Sequence, residues 1–187
     1  MTHPAVFLDR DGTINEQMGY INHISRFVLL PQAIDGIRRL NEAGVKVVVI
    51  TNQSGAARGY FPDSLIDEVN AHMERLLAGG GARLDGIYTC RHGPGEGCGC
   101  RKPRTGLIEQ ALQDLGLDPI RSYLVGDRYS DVETAANAGV KPILALTGYG
   151  RGELEYLGPS QKVQPVYVAA DLLDAVEWIL ADLKRAG

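Results

Sequence analysis

At 187 residues the chain suits one compact domain and leaves little room for two. Its 44% hydrophobic and 22% charged residues exclude a disordered chain, and its net charge of −4 argues against a nucleic-acid or membrane binder driven by basic charge. No apolar run approaches the ~20 residues of a membrane helix, and the first apolar stretch stops at Asp9 without a signal-peptide pattern, so the cytosol is the expected location.

The elements follow in order. Ala5 to Leu8 reads as a short buried strand. Gln32 to Glu42 carries Ile34, Ile37 and Leu40 at helical spacing, and Gly44 ends it. Val45 to Ile50 is the clearest buried strand. Leu65, Val69, Met73, Leu76 and Leu77 mark a helix closed by Gly79-Gly80-Gly81. Leu84 to Tyr88 is a strand, Gly106 to Leu115 a helix closed by Gly116, and Tyr123 to Val125 a strand. Ser130 to Glu133 has the Ser-x-x-Glu form of a capping box, which predicts a helix start there. Ile143 to Leu146 and Val166 to Val168 are short strands, and Leu172 to Leu183 is a terminal amphipathic helix. This alternation predicts an α/β fold, a doubly wound parallel sheet covered on both faces. Ile14 to Leu30 and Cys90 to Arg104 stay irregular.

Polar groups recur where these strands end. Asp9 and Asp11 follow the first strand and Thr51-Asn52-Gln53-Ser54 the second. Arg101-Lys102-Pro103 precedes the helix at Gly106, Gly126-Asp127 follows Tyr123 to Val125, and Asp131 sits in the next helix. Parallel strands gather such ends on one sheet edge, where ligands of open α/β sheets bind. Two acids there repel each other unless a cation or a shared proton offsets their charge. Mg²⁺ needs only a few carboxylates, a phosphate needs hydroxyl, amide and cationic donors, and a carboxylate can attack phosphorus as a nucleophile.

All three cysteines, Cys90, Cys98 and Cys100, lie within eleven residues of one another beside His92. One imidazole and three thiolates fill the tetrahedral shell of a structural Zn²⁺ and leave no open position. Such an ion would fix the ends of the glycine-rich segment 93–97 and so place Arg101 and Lys102. His3, His23 and His72 read as ordinary surface or loop residues.

Asp9-Arg10-Asp11-Gly12-Thr13, Thr51, Lys102 and Gly126-Asp127, in this order, resemble the haloacid dehalogenase superfamily of phosphatases. The resemblance implies Asp9 as nucleophile, Asp11 as general acid/base, Thr51 and Lys102 (with Arg101) on the transferring phosphoryl group, and Asp131 as support. It also implies a Mg²⁺ site from Asp9, Asp127 and Asp11, the last through its backbone carbonyl. The Cys/His loop is similar to that of a branch holding heptose bisphosphate and histidinol-phosphate phosphatases. Asp9 to Asn15 continuing into Gly19-Tyr20, and Thr51 to Gly55 continuing through Ala57-Arg58-Gly59, look like the heptose enzymes. Histidinol-phosphate phosphatases usually carry an acid at Ser54, while the short loop between His92 and Cys98 is the one departure in their favour.

The resemblance runs from about Ala5 to Gly148. It implies substrate contacts at Asp9, Arg10, Asp11, Gln17, Met18, Gly19, Tyr20, Thr51, Asn52, Gln53, Ser54, Arg101, Lys102 and Arg128. The expected protein is a monomer of one domain, 1–187, with a zinc loop at 90–104 and no large cap, acting on a small phosphosugar. Two other classes are a zinc-stabilised nucleic-acid module, which the acidic charge opposes, and a phospho-accepting receiver, whose aspartyl phosphate must persist.

Overall fold

Ala5–Leu8, four buried apolar residues, form β1 at the centre of a six-stranded sheet in the computed structural model, which describes residues 2–186. Met1 and Gly187, the ends of the expected domain, lie outside the described residues. The other elements are α1 (Ala33–Glu42), β2 (Lys46–Asn52), α2 (Ser64–Gly79), β3 (Gly86–Cys90), α3 (Gly106–Leu115), β4 (Tyr123–Gly126) and α4 (Tyr129–Asn137). They continue with β5 (Lys141–Ala145), the single turn α5 (Gly150–Gly152), β6 (Tyr167–Ala169) and α6 (Leu172–Ala186). The sheet order is β3-β2-β1-β4-β5-β6, and every pairing is parallel.

The alternation of side chains along the strands builds two cores. Val6, Leu8, Val47 and Val49 point to one face and pack with Ile37 and Leu40 of α1, Met73 and Leu77 of α2, and Val176 and Ile179 of α6. Ala5, Phe7, Val48 and Ile50 point to the other and pack with Leu107, Ile108 and Ala111 of α3. Chain order reverses between β1 and β4, which are neighbours, with Asp9 N–H donating to the Val125 carbonyl at 3.0 Å. That reversal opens a crevice at the strand ends. The described residues carry this one sheet and no separate cap; the β1–α1 connection holds only a 3₁₀ turn, Ile24–Arg26.

Several local expectations change; β5 begins two residues earlier than expected and β6 one residue later. β2 ends two residues later than expected and β3 is displaced by two, Gly86–Cys90 in place of Leu84 to Tyr88, so Thr51 and Asn52 are strand residues and Cys90 is the last residue of β3. The capping box is not built on Ser130. The helix starts at Tyr129, and the Asp131 carboxylate reaches back to accept from the Arg128 N–H at 3.2 Å. An acid three residues into a helix satisfies an orphan donor in this way. Residues 150–160, to which the sequence reading assigns no element, form a run of short helical turns.

Candidate active site

β1 and β4 deliver the acids. Asp9 follows β1, Asp127 follows β4, and Asp131 lies in the first turn of α4; their carboxylate oxygens come within 4.8 Å of one another. Lys102, from the irregular loop before α3, enters between two of them. Its Nζ stands 2.8 Å from Asp9 Oδ1 and 2.7 Å from Asp131 Oδ1, and donates to the Ile50 carbonyl at 3.2 Å. Asn52 holds this lysine's backbone in place from the end of β2. Its Oδ1 accepts from the Lys102 N–H at 3.1 Å and its Nδ2 donates to the Lys102 carbonyl at 3.2 Å.

One cation does not offset three buried acids. Burial, aided by the charges of Asp131 and Asp11 and opposed by Lys102, raises Asp9 to about 6. Burial and the charge of Asp9 raise Asp127 to about 8, although the Tyr149 N–H donates to its Oδ2 at 2.9 Å. The two acids facing Lys102 raise its pKa, against the effect of burial. Asp127 Oδ1 is buried without a hydrogen-bond partner. A buried carboxylate oxygen with no donor, beside a second carboxylate, fits a hard divalent cation such as Mg²⁺. Gly12 and Gly148 make room for it: a Cβ on either would sit 2.1 Å from Asp127 Oδ2, and Gly12 has φ +90°. Thr147 Oγ1 fastens this corner by donating to the Gly12 carbonyl at 2.6 Å.

The Asp11 carboxylate is not in that acid cluster. It accepts from Asn15 Nδ2 at 2.9 Å and Gln53 Nε2 at 2.7 Å, and pairs with Arg10 Nη2 at 3.0 Å. Gln53 Nε2 also donates to Thr51 Oγ1 at 2.9 Å, so one amide spans the hydroxyl and the second acid.

A cleft of about 430 Å³ opens above these groups. Of the expected site residues, Asp9, Asp11, Gln17, Gly19, Tyr20, Thr51, Asn52, Ser54, Arg101, Lys102 and Arg128 line it. Four others are placed elsewhere. Asp127 lies buried behind the cleft wall, Gln53 is buried beneath Asp11 and Thr51, and Met18 packs against the core. Arg10 is 1% exposed, with its guanidinium turned to Asp11 and Asn70. Arg58, of the Ala57-Arg58-Gly59 motif, is exposed outside the lining, and Arg104 donates to the Cys98 carbonyl. Ser130 and Tyr149 line the cleft without having been expected there. The Arg128 guanidinium carbon lies 4.2 Å from the centre of the Tyr149 ring. A cation over an aromatic face is the signal that pairs them, and only the fold brings the two residues together.

The second cluster lies on the loop that carries Arg101 and Lys102. Cys90, His92, Cys98 and Cys100 offer ligand atoms within 4.8 Å of one another. Cys90 Sγ is 3.7 Å from Cys98 Sγ and 3.7 Å from His92 Nδ1, and His92 Nδ1 is 3.3 Å from Cys100 Sγ. A tetrahedron with ~2.3 Å sulfur and ~2.05 Å nitrogen arms has edges of ~3.5–3.8 Å, so the set fits Zn²⁺. With the thiols so crowded, burial and the neighbouring sulfurs push Cys100 up to about 12, a penalty a divalent cation reverses.

Sequence and fold are similar to those of known proteins. The HAD-hydrolase-like family model matches residues 99–175. The D-glycero-beta-D-manno-heptose-1,7-bisphosphate 7-phosphatase of Yersinia pestis is 44% identical, over 98% of this chain and 94% of its own. The D-glycero-D-manno-heptose-1,7-bisphosphate 7-phosphatase of Thermosynechococcus vestitus is 41% identical over 98% of both chains. The crystal structure of D,D-heptose 1,7-bisphosphate phosphatase from B. bronchiseptica, complexed with magnesium and phosphate, superimposes with a TM-score of 0.88. It is 34% identical and covers 96% of this chain and 99% of that one. Among the described residues no helix is long and apolar enough to cross a membrane.

Proposed function

As the chain belongs to the heptose 1,7-bisphosphate 7-phosphatase family of haloacid dehalogenase-like hydrolases, and so is a phosphoric monoester hydrolase, we propose that it removes the 7-phosphate of D-glycero-D-manno-heptose 1,7-bisphosphate. The product is heptose 1-phosphate, a precursor of the nucleotide-activated heptose used in surface polysaccharide. The proposed substrate is the β anomer, which the names of the Yersinia pestis and Escherichia coli relatives carry. The enzyme acts as a cytosolic monomer.

The observation that carries this reading is the Lys102 ammonium 2.8 Å from Asp9 Oδ1, beside an Asp127 oxygen that lacks any donor. In the proposed cycle Asp9 attacks the 7-phosphorus in line, and the P–O bond to the sugar breaks. Asp11 gives its proton to the departing O7. Thr51 and Lys102 balance charge on the phosphoryl oxygens, with Arg101 at the cleft wall. Asp11 then takes a proton from water, which attacks phosphorus and breaks the bond to Asp9. Asp9, Asp127 and the Asp11 carbonyl are the ligands proposed for Mg²⁺, which when bound neutralises carboxylate and phosphoryl charge. Asp131 supports the site by holding Lys102. Arg128, Gln17, Gly19 and Tyr20 face the part of the substrate away from the chemistry. Cys90, His92, Cys98 and Cys100 hold a structural Zn²⁺.

The test is phosphate release, with Mg²⁺, from both anomers of heptose 1,7-bisphosphate beside histidinol phosphate. The expected result is kcat/KM highest for the β bisphosphate. A higher value for histidinol phosphate overturns the substrate assignment.

A further inference from the structure

Asn70 interrupts the apolar stripe of α2. It lies between Ile66 and Met73 on the face that packs the core, and it is 8% exposed. A polar side chain on such a stripe needs partners. Its Oδ1 accepts from Arg10 Nη1 at 3.0 Å, and its Nδ2 donates to Thr89 Oγ1 on β3 at 3.4 Å. Arg10 faces Asp11 with the other side of its fork. Nη2 lies 3.2 and 3.0 Å from Asp11 Oδ1 and Oδ2, and Nε lies 3.4 Å from Oδ1. A guanidinium is planar, so tying Nη1 at one end fixes the plane that meets the carboxylate at the other.

We propose that Asn70 is a positioning residue for proton transfer by Asp11, acting through Arg10. The proposal rests on the phosphatase reading above. Arg10 is too buried to bind substrate from this position, and its partners give it a different task. The chain of contacts runs from β3 and α2 through Asn70 to Arg10, sixty residues away in sequence, and on to Asp11. Asn15 and Gln53 restrain the same carboxylate from its other sides. Proton transfer depends on position at the level of ~1 Å. Without Asn70 the buried Nη1 has no acceptor, so Arg10 turns to find one and Asp11 follows.

The step affected can be isolated by the leaving group. A sugar alkoxide needs the Asp11 proton to depart. p-Nitrophenolate leaves with its electron pair unaided, so the first step survives loss of the acid. The second step still needs Asp11 to take a proton from water as the P–O bond to Asp9 breaks.

The experiment uses Asn70→Leu, which keeps the γ-branched shape without polar atoms, Asn70→Asp, which keeps an acceptor for Arg10, and Arg10→Lys, which cannot span Asp11 and Asn70. Asn70→Leu and Arg10→Lys are expected to lower kcat on the heptose bisphosphate roughly 10- to 100-fold, with KM within about 3-fold of wild type. With p-nitrophenyl phosphate both should give a burst of about one p-nitrophenolate per active site before slow turnover. Asn70→Asp should restore kcat to within about 3-fold and abolish the burst. The proposal is overturned by wild-type kcat in Asn70→Leu and Arg10→Lys, by a fall in kcat without a burst, or by failure of Asn70→Asp to rescue. Wild-type protein inactive on both substrates overturns the phosphatase reading instead.

Discussion

The raised carboxylates make a thermodynamic prediction. Asp127 moves from 3.8 to about 8 and Asp9 from 3.8 to about 6 on folding, both chiefly through burial. Between the unfolded and folded values the native state holds more protons than the unfolded chain. The contribution of these two groups to stability in the absence of Mg²⁺ is therefore full below about pH 4 and is lost as pH rises toward 8. Where one extra proton is held, each pH unit costs ~1.36 kcal/mol. From pH 5.5 to 7.5 Asp127 alone gives a loss of ~3 kcal/mol, because its folded value lies above that whole window. In a domain of this size that corresponds to ~6–12 °C in Tm. Mg²⁺ competes with these protons, so the rise in Tm that it causes grows with pH. The assay is thermal melting of zinc-loaded, magnesium-free protein from pH 5.5 to 8, with and without saturating Mg²⁺, beside Asp127→Asn. In the variant the slope should flatten and the Mg²⁺ gain largely vanish. A wild-type Tm that is flat or rising with pH, in parallel with the variant, would falsify the burial argument.

Lys102→Met leaves Asp9 and Asp131 buried without their cation. Breaking such a pair costs ~3–5 kcal/mol, so melting at pH 7.5 should fall by ~6–20 °C, and turnover should be lost. An unchanged Tm would show that the ion pairs carry little. Gly12→Ala forces a Cβ against Asp127 at a φ of +90°; backbone strain alone adds ~1–2 kcal/mol. A higher Mg²⁺ concentration for half-maximal activity, from titration of phosphate release, is the expected reading, and an unchanged value refutes it. Zinc analysis should find about one ion per chain, set by the four-ligand cluster. Removing it should lower Tm and expose Cys98 and Cys100 to thiol reagents, while Mg²⁺-dependent turnover persists at reduced stability; full loss of chemistry with Tm unchanged would contradict a structural role.

Much of this site was legible because its groups follow apolar strands. Ala5–Leu8 and Gly106–Leu115 match their expected bounds, and parallel strands bring Asp9, Thr51 and Asp127 together at one edge. The Cys/His spacing foretold the second cluster equally well. Orientation of side chains was not legible. Periodicity tells which face a residue occupies, not that Arg10 turns inward to Asn70 or that Asp11 turns away from Asp9 and Asp127. Such pairings span tens of residues and depend on how helices dock. Asn70 did carry a signal, a lone amide on an apolar stripe. Tyr149 carried none, because its place under Arg128 depends on the backbone after β5, where no repeat of hydrophobicity guides the reading.

The central claim, attack by Asp9 on the 7-phosphate, is tested most directly by ³¹P spectra of β-heptose 1,7-bisphosphate turning over with Mg²⁺. The C7 ester signal should give way to inorganic phosphate while the anomeric phosphate signal persists, and Asp9→Asn should leave both esters intact. Loss of the anomeric signal, or turnover by Asp9→Asn, would contradict the account.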